Sequence, residues 1–380
     1  MPTIKSFKIR LYPTKEQEQA MWRHIGACRY IWNYMLYYQK KNYESGGKHL
    51  SSFDMEKLLK PLKNDGEHNW LRDISSYSLD IICHDLNNAY SSFFKKISGF
   101  PKFKSRKRSK PVFPVRAGRL WFSKDKVNIE KIGKIRYKTD FDIPLNRGQK
   151  FSNSRISYVC GKWILSFGME CENQTFELTD KSMGIDLGVK DLAVVVCGED
   201  KIVFHNINKS KKIRNLKRKM KHQQRAISRK YEANRTGNRY YKTRNIEKAE
   251  ANLRKIHARI NNIRSNYIHQ CTHLLVAMLP YRAVMENLNV SGMMKNRHLS
   301  KAIQEQGFYE FTRQMKYKCE WMGIEFIQAD RFYPSSKTCS CCGNLKKDLK
   351  LKDRTYVCEN CGFIIDRDYN AAINLMRYSV

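Results

Sequence analysis

Acidic residues are scarce in this chain: 36 Asp and Glu stand against 72 Lys and Arg, a formal net charge of +36 over 380 residues. Self-repulsion on that scale works against a compact state unless a polyanion or counterions offset it. The basic residues recur along the whole length and do not gather in one tail, so the expected partner presents an extended anionic surface. Nucleic acid fits that better than a membrane. Long apolar runs are also missing, and none reaches the roughly 18 residues of a membrane-spanning helix. Met1-Pro2-Thr3-Ile4-Lys5 lacks the apolar core of a signal peptide. Nor is there a secreted disulfide framework: five of the 12 cysteines crowd into residues 339–361. The other seven (Cys28, Cys83, Cys160, Cys171, Cys197, Cys271, Cys319) are scattered singly, as small core hydrophobes would be. These absences point to a reducing cytoplasm. No internal repeat or low-complexity tract is visible.

What is present divides the chain. Residues 3–12 alternate apolar and polar up to Tyr12-Pro13, the pattern of a strand. Thr14 and Gln17 have capping-box spacing and open a helix over 16–44, followed by helical stretches at about 50–62 and 76–97. The predicted organisation is a first strand (1–13), a helical insert (14–98) and the remainder of an antiparallel barrel or sandwich (99–180), read from short period-two runs between Gly, Asn and Asp. Residues 183–196 read as strand, turn, strand. Two long helices follow over 209–279, then an apolar strand at 281–285, a helix over about 301–322 and a strand at 324–329.

Three features carry chemistry. Cys339, Cys342, Cys358 and Cys361 form a C-x2-C-x15-C-x2-C array, whose paired knuckles present four thiolates to one tetrahedral zinc. Cys341 is an alternative ligand, although the C-x-x-C register favours Cys342. A closed four-sulfur site leaves no open position, so this zinc is structural. Second, Asp186 ends an apolar strand in G-I-D-L-G-V-K-D, Glu286 follows another in A-V-M-E-N-L, and Asp368 begins the amphipathic helix D-Y-N-A-A-I-N-L. Carboxylates at the ends of buried strands are costly unless a cation is near. Three that converge would suit two Mg²⁺ ions for phosphodiester hydrolysis. Taken singly, each is equally well a strand-end polar residue or a helix cap. Actin-like ATPases carry a similar strand–turn–strand, but they need a second phosphate loop and an adenosine motif, and neither is found. Third, cationic segments run through 99–111, where aromatics alternate with Lys and Arg, and through 209–230, where 11 of 22 residues are basic. Candidate nucleic-acid contacts are Arg10, Tyr12, Arg29, Lys102, Lys104, Arg106, Lys217, Arg218 and Arg225.

With these residues in view, the chain resembles the TnpB family of insertion-sequence proteins, compact relatives of type V CRISPR effectors. The resemblance rests on K-I-R-L-Y-P-T-K-E-Q (8–17), G-A-C-R-Y-I-W-N (26–33), G-F-P-K-F-K-S (99–105), G-I-D-L-G-V-K-D (184–191), M-E-N-L-N-V-S-G-M (285–293), D-R-F-Y-P-S-S-K-T-C-S-C-C-G (330–343) and D-R-D-Y-N-A-A-I-N-L (366–375). It implies a multidomain α+β protein with an RNase H-like (RuvC) nuclease core over 181–335 and 363–380. A zinc ribbon at 336–362 interrupts that core, and an N-terminal wedge-like β-barrel is interrupted by a helical recognition domain. The resemblance further implies a guide RNA, a double-stranded DNA target read beside a short adjacent motif, Mg²⁺-dependent cutting by Asp186, Glu286 and Asp368, and a prokaryotic cytoplasmic setting. Asp368, and not Asp366, is carried over because it lies two residues before Asn370. A monomer with its RNA is expected, with a dimer left open. Asp80-Ile81 stands where the resemblance leads one to expect amide side chains, so no residue that reads the adjacent motif is carried over.

Overall fold

The computed structural model describes residues 3–143, 150–172, 175–350 and 353–379. Two compact units divide at Glu172–Asn173.

The first unit begins with strand β1 (Thr3–Tyr12), in which Ile9 and Leu11 turn inward. Helix α1 (Lys15–Glu44) starts where the Thr14 hydroxyl accepts from the Gln17 amide and the Gln17 side chain accepts from the Thr14 amide. Those two bonds satisfy otherwise orphaned donors. The buried stripe of α1, Met21, Ile25, Cys28, Ile31, Trp32, Met35 and Leu36, keeps helical spacing and packs on α2 (Ser52–Asn64) and α3 (Ser76–Phe94) in one core. The remaining strands are β2 (Val112–Pro114), β3 (Trp121–Phe122), β4 (Lys126–Ile129), β5 (Gly133–Lys138), β6 (Phe151–Val159) and β7 (Lys162–Cys171). They form one sheet of order β2-β6-β7-β1-β5-β4-β3, antiparallel throughout. Phe122 of β3 meets Phe151 of β6 and Phe167 of β7, with ring centroids 5.1 and 5.4 Å apart, so the sheet rolls over its own aromatic core. No ladder joins β2 to β3 among the described residues. The strands expected from sequence to form a barrel or sandwich thus make one sheet rolled about its aromatic core.

The second unit holds a five-stranded sheet of order β10-β9-β8-β13-β14. Its strands are β8 (Thr179–Leu187), β9 (Asp191–Cys197), β10 (Asp200–His205), β13 (Pro280–Met285) and β14 (Glu325–Gln328). β8, β9 and β10 run antiparallel, while β13 lies parallel to both β8 and β14. Between β10 and β13 come α4 (Lys211–Ala233) and α5 (Arg244–Ala277), linked by a two-residue ladder of β11 (Arg235–Thr236) and β12 (Arg239–Tyr240). After β13 follow α6 (Val290–Met293), α7 (Ser300–Gln306) and α8 (Phe308–Met322). β14, the ribbon strands β15 (Thr355–Val357) and β16 (Ile364–Asp366), and α9 (Arg367–Met376) complete the unit.

The middle strands read as nearly continuous apolar runs because both faces are covered. Ile185, Val195 and Met285 pack with Leu275 of α5 and Phe311 and Met315 of α8, and Val194 and Val196 face Ala372 of α9. Three sequence expectations are corrected. The single helix over 301–322 is two, broken at Gly307, whose φ of +72° suits glycine and no continuing helix. Asp368 does not begin the last helix: Asp366 is its N-cap, accepting from the Tyr369 amide, and Asp368 lies in the first turn. The two long helices expected over 209–279 are not joined by a plain loop, since β11 and β12 pair as a small hairpin between them. No described helix is long and apolar enough to cross a membrane.

Candidate active site and metal centres

Asp186 sits near the C-terminal end of β8, and Glu286 directly follows the C-terminal end of the neighbouring parallel strand β13. Parallel register, with Met285 opposite Ile185, brings two carboxylates 100 residues apart to the same sheet edge. Asp186 is buried, and its carboxyl lies close enough to that of Glu286 for the two to act on each other. Burial pushes the Asp186 pKa well above the usual carboxylate range. The charges of Glu286 and then Asp368 add to the effect, and Arg367 opposes it. Asp368 arrives on α9, which packs on the face of the sheet where Gly184 and Val284 lie and toward which Asp186 and Glu286 turn by alternation. That helix can come this close because residue 184 is glycine: a Cβ there would fall on the Ala372 carbonyl oxygen and the Met376 amide nitrogen. The Met376 carbonyl at the helix end accepts from Ser182 Oγ at 2.8 Å and from Arg282.

The arrangement is centred on Asp186, the group on which both other acids act. The three acids are not a single tight cage. Among the described residues, the clusters whose potential ligand atoms all lie within 4.8 Å of one another are the four cysteines and Asp65, Glu67 and His68. The latter set lies at the start of a 3-10 helix (Gly66–Asp73) of the first unit, with Asp65 as its N-cap, where His68 is already bonded to Asp65 and Tyr30. The turn after β8 is held by Gln306, a buried side chain that donates to the Gly188 carbonyl at 2.9 Å and the Val189 carbonyl at 3.1 Å. Sequence reading did not single out Gln306. Its position just before the Gly307 break was the available signal.

The four cysteines form two matching knuckles. Gly343 and Gly362, at φ +75° and +71°, each donate back to the first cysteine of their pair, and Cys339 and Cys358 donate to the carbonyls of Asn344 and Phe363. Cys339 Sγ lies 3.8 Å from Cys361 Sγ, and Cys342 Sγ 3.6 Å from Cys358 Sγ. Zinc–sulfur bonds of about 2.3 Å at tetrahedral angles require sulfurs about 3.8 Å apart, so this cluster fits zinc. Hydrogen bonds from the Asn344 amide and the Asn360 side chain hold the Cys342 pKa down to about 6, and one from the Cys361 amide lowers that of Cys358. The pKa of Cys339, through burial, and that of Cys361 are raised, so the four neighbouring sulfurs share protons unequally. Cys341 is exposed and outside the cluster. β15 and β16 pair Thr355 with Asp366, so the ribbon runs straight into the N-cap of α9.

The predicted nucleic-acid contacts divide. Arg10 and Tyr12 are exposed on β1 and stack on each other, with Arg10 4.7 Å from the ring centroid. Helix α1 fixes the cationic loop: Trp32 donates to the Lys102 carbonyl, and Asn33 bonds both the amide and the carbonyl of Lys104. Lys102 and Arg106 are exposed, whereas the Lys104 ammonium lies 3.4 Å from the centroid of Trp32, and burial lowers its pKa. Arg29, Lys104 and Arg106 line a cavity of about 410 Å³ with Lys110, Arg155 and Asp85. Asp85 there is bound by both terminal nitrogens of Arg155 at 2.8 Å. In the second unit Arg218 and Arg225 are exposed on α4, but Lys217 is engaged by Glu305 at 2.6 Å, a bond that ties α4 to α7.

A family model described as "Probable transposase" matches residues 166–297, a "Cas12f1-like, TNB domain" matches 308–375, and a "Helix-turn-helix domain" matches 1–48. In this chain the last segment holds a strand and one unbroken helix of 30 residues. The chain is 31% identical to the putative RNA-guided DNA endonuclease InsQ of Escherichia coli K12, covering 99% of this chain and 92% of the relative. It is 30% identical to a putative RNA-guided DNA endonuclease of Streptomyces pristinaespiralis, over 98% and 88%. A solved Cas12f1–sgRNA–target DNA complex has a protein chain of the same fold, with a TM-score of 0.61, 15% identity and 99% coverage of both chains. Similarity to curated relatives over nearly its whole length means that the chain belongs to the TnpB family of putative RNA-guided DNA endonucleases.

Proposed function

We propose that the protein is an RNA-guided DNA endonuclease of a mobile element, hydrolysing phosphodiesters at Asp186, Glu286 and Asp368 beside a short adjacent motif. The observation that carries this reading is the meeting of Asp186 and Glu286 at the ends of adjacent parallel strands, with Asp368 close enough to act on Asp186 from α9. Three antiparallel strands followed by two parallel ones, with acids on the first and just after the fourth, supports an RNase H-like (RuvC) core.

The donors suit magnesium, a hard cation that prefers carboxylate oxygen. Mutual repulsion in a buried place makes the ionised cluster unfavourable on its own, and a divalent cation would reverse that balance. Two Mg²⁺ ions, when bound, supply an activated water and stabilise the leaving oxygen. Asp186, on which both other acids act, would hold the ions together with Glu286 and Asp368. The four cysteines hold a structural zinc that fixes the ribbon and, through β16, the start of α9.

Guide pairing would supply sequence reading, so the protein needs mainly backbone contacts, which diffuse positive charge provides. Arg218 and Arg225 on α4, and Arg10, Tyr12, Lys102 and Arg106 in the first unit, are the candidates whose side chains are exposed. The test is to sequence the RNA that co-purifies with the protein, change its guide segment, and measure Mg²⁺-dependent cleavage of matched DNA. Cutting that follows the new guide and is lost in Asp186→Ala supports the reading. Guide-directed binding without cutting would make the protein an RNA-guided repressor, and cutting that ignores the guide would make it an unguided nuclease.

A further inference from the structure

Between β14 and the first zinc knuckle, the segment Pro334–Ser340 is bonded to α9 and reaches Glu286. Ser335, four residues before Cys339, is 3% exposed, and its hydroxyl donates to Glu286 Oε1 at 2.6 Å. The backbone at Ser335 is fixed as well. Its amide donates to the Tyr333 carbonyl at 2.8 Å, and its carbonyl accepts from Asn374 Nδ2 at 2.7 Å. Asn374 and Asn370, one turn apart on α9, both donate to the Thr338 carbonyl at 2.7 Å, and Asn370 Oδ1 accepts from the Ser340 amide at 2.9 Å. Asn370 is fully buried and Asn374 nearly so. Two buried amides on the helix that carries Asp368 thus set the path of the chain that presents a hydroxyl to Glu286.

We propose that Ser335 is a positioning residue for Glu286. Its hydroxyl occupies Oε1, stops the carboxylate from rotating and leaves Oε2 for a divalent cation. A carboxylate on the residue just after a strand has side-chain torsions free to turn, and a ligand held in one orientation binds a cation with less loss of freedom. The bland alternative is a buried serine whose donor has found the nearest acceptor. Under that alternative, removing the hydroxyl costs stability and leaves metal affinity alone. The inference rests on the carboxylate reading above and adds to it the origin of the Glu286 geometry.

The full-length protein, freed of RNA and retaining zinc, is titrated with Mn²⁺ followed by electron paramagnetic resonance. Asp186→Ala identifies the component of binding that belongs to the carboxylates. The expected result for Ser335→Ala is that component weakened about tenfold or more, with zinc content and melting temperature close to those of the unaltered protein. With guide RNA restored, the Mg²⁺ concentration for half-maximal cleavage rises by a similar factor, and excess Mg²⁺ recovers the rate. Affinity in Ser335→Ala within about twofold of the unaltered protein, below the range such partners usually command, overturns the proposal. So does a fall in affinity that comes with loss of zinc or of thermal stability, which marks a folding role. Tight Mn²⁺ binding that survives Asp186→Ala sinks the carboxylate reading itself, whereas binding lost there but intact in Ser335→Ala sinks only the role of the serine.

Discussion

Gly184 of β8 and Met376 of α9 lie backbone against backbone, with no space for even a methyl group between them. This packing sets the depth at which α9 docks and hence where Asp368 stands over the sheet edge. Gly184→Ala forces main chain against main chain, and overpacking of a core typically costs about 1–3 kcal/mol. A cost at the upper end is expected, seen as a lower melting temperature together with loss of DNA cleavage. An unchanged melting curve would contradict so close an approach.

Asp186 has a raised pKa because it is buried and faces Glu286 and Asp368. The folded state therefore binds a proton at pH values where the unfolded chain, with a carboxyl pKa of about 3.9, has released it. Above the folded pKa the ionised group destabilises the fold, and below about pH 3.9 that penalty is gone. Asp186→Asn should therefore raise the melting temperature at pH 7 in Mg²⁺-free buffer, with a gain that shrinks as the pH falls toward about 4. Added Mg²⁺ should narrow the gap, because the cation stabilises only the ionised cluster. Thermal melts across that range check the sign, and a gain independent of pH would refute it.

Removing a zinc ligand should reach beyond the ribbon. Cys358→Ser leaves three sulfurs, and the ribbon connects through β16 to the N-cap of α9. The expected outcome is loss of the roughly one zinc per chain that a closed site holds, a lower melting temperature, and cleavage lost even at saturating Mg²⁺. Cys341→Ser should change none of these, since Cys341 lies outside the cluster. Metal analysis of the two variants decides between them.

The exposed cations of α4 make a separate prediction. Replacing Arg218, Lys221, Arg225 and Arg229 with Gln should weaken nucleic-acid binding uniformly across sequences. Each duplex phosphate that is no longer neutralised should reduce the slope of log K against log salt by about 0.9. Lys217→Gln acts differently: it breaks the bond to Glu305 and should lower stability more than it alters that slope. Binding isotherms at several salt concentrations, with melts alongside, separate the two effects.

Much of the fold was legible because its signals are local. The Thr14–Gln17 box, the period-two alternation of β1 and the paired cysteine knuckles each depend on neighbours in sequence. The break at Gly307 was not, because an isolated glycine inside a helical pattern reads as tolerated until its left-handed φ is known. Strands of two residues, as in β11 and β12, carry no periodicity to read. At the site, strand-end position and the family resemblance made Asp186, Glu286 and Asp368 the expected acids, but the roles of Ser335, Gln306 and Gly184 were hidden. Each acts on a partner at least 49 positions away, so its meaning exists only in the folded chain.

Asp186, Glu286 and Asp368 should together gather divalent cations. Anomalous difference density from crystals of the guide-loaded protein soaked in Mn²⁺ tests it most directly. Two peaks about 3.5–4 Å apart, both touching Asp186 and one each touching Glu286 and Asp368, are the predicted result. Ordered density for the three side chains with no peak among them at saturating Mn²⁺ would contradict the account.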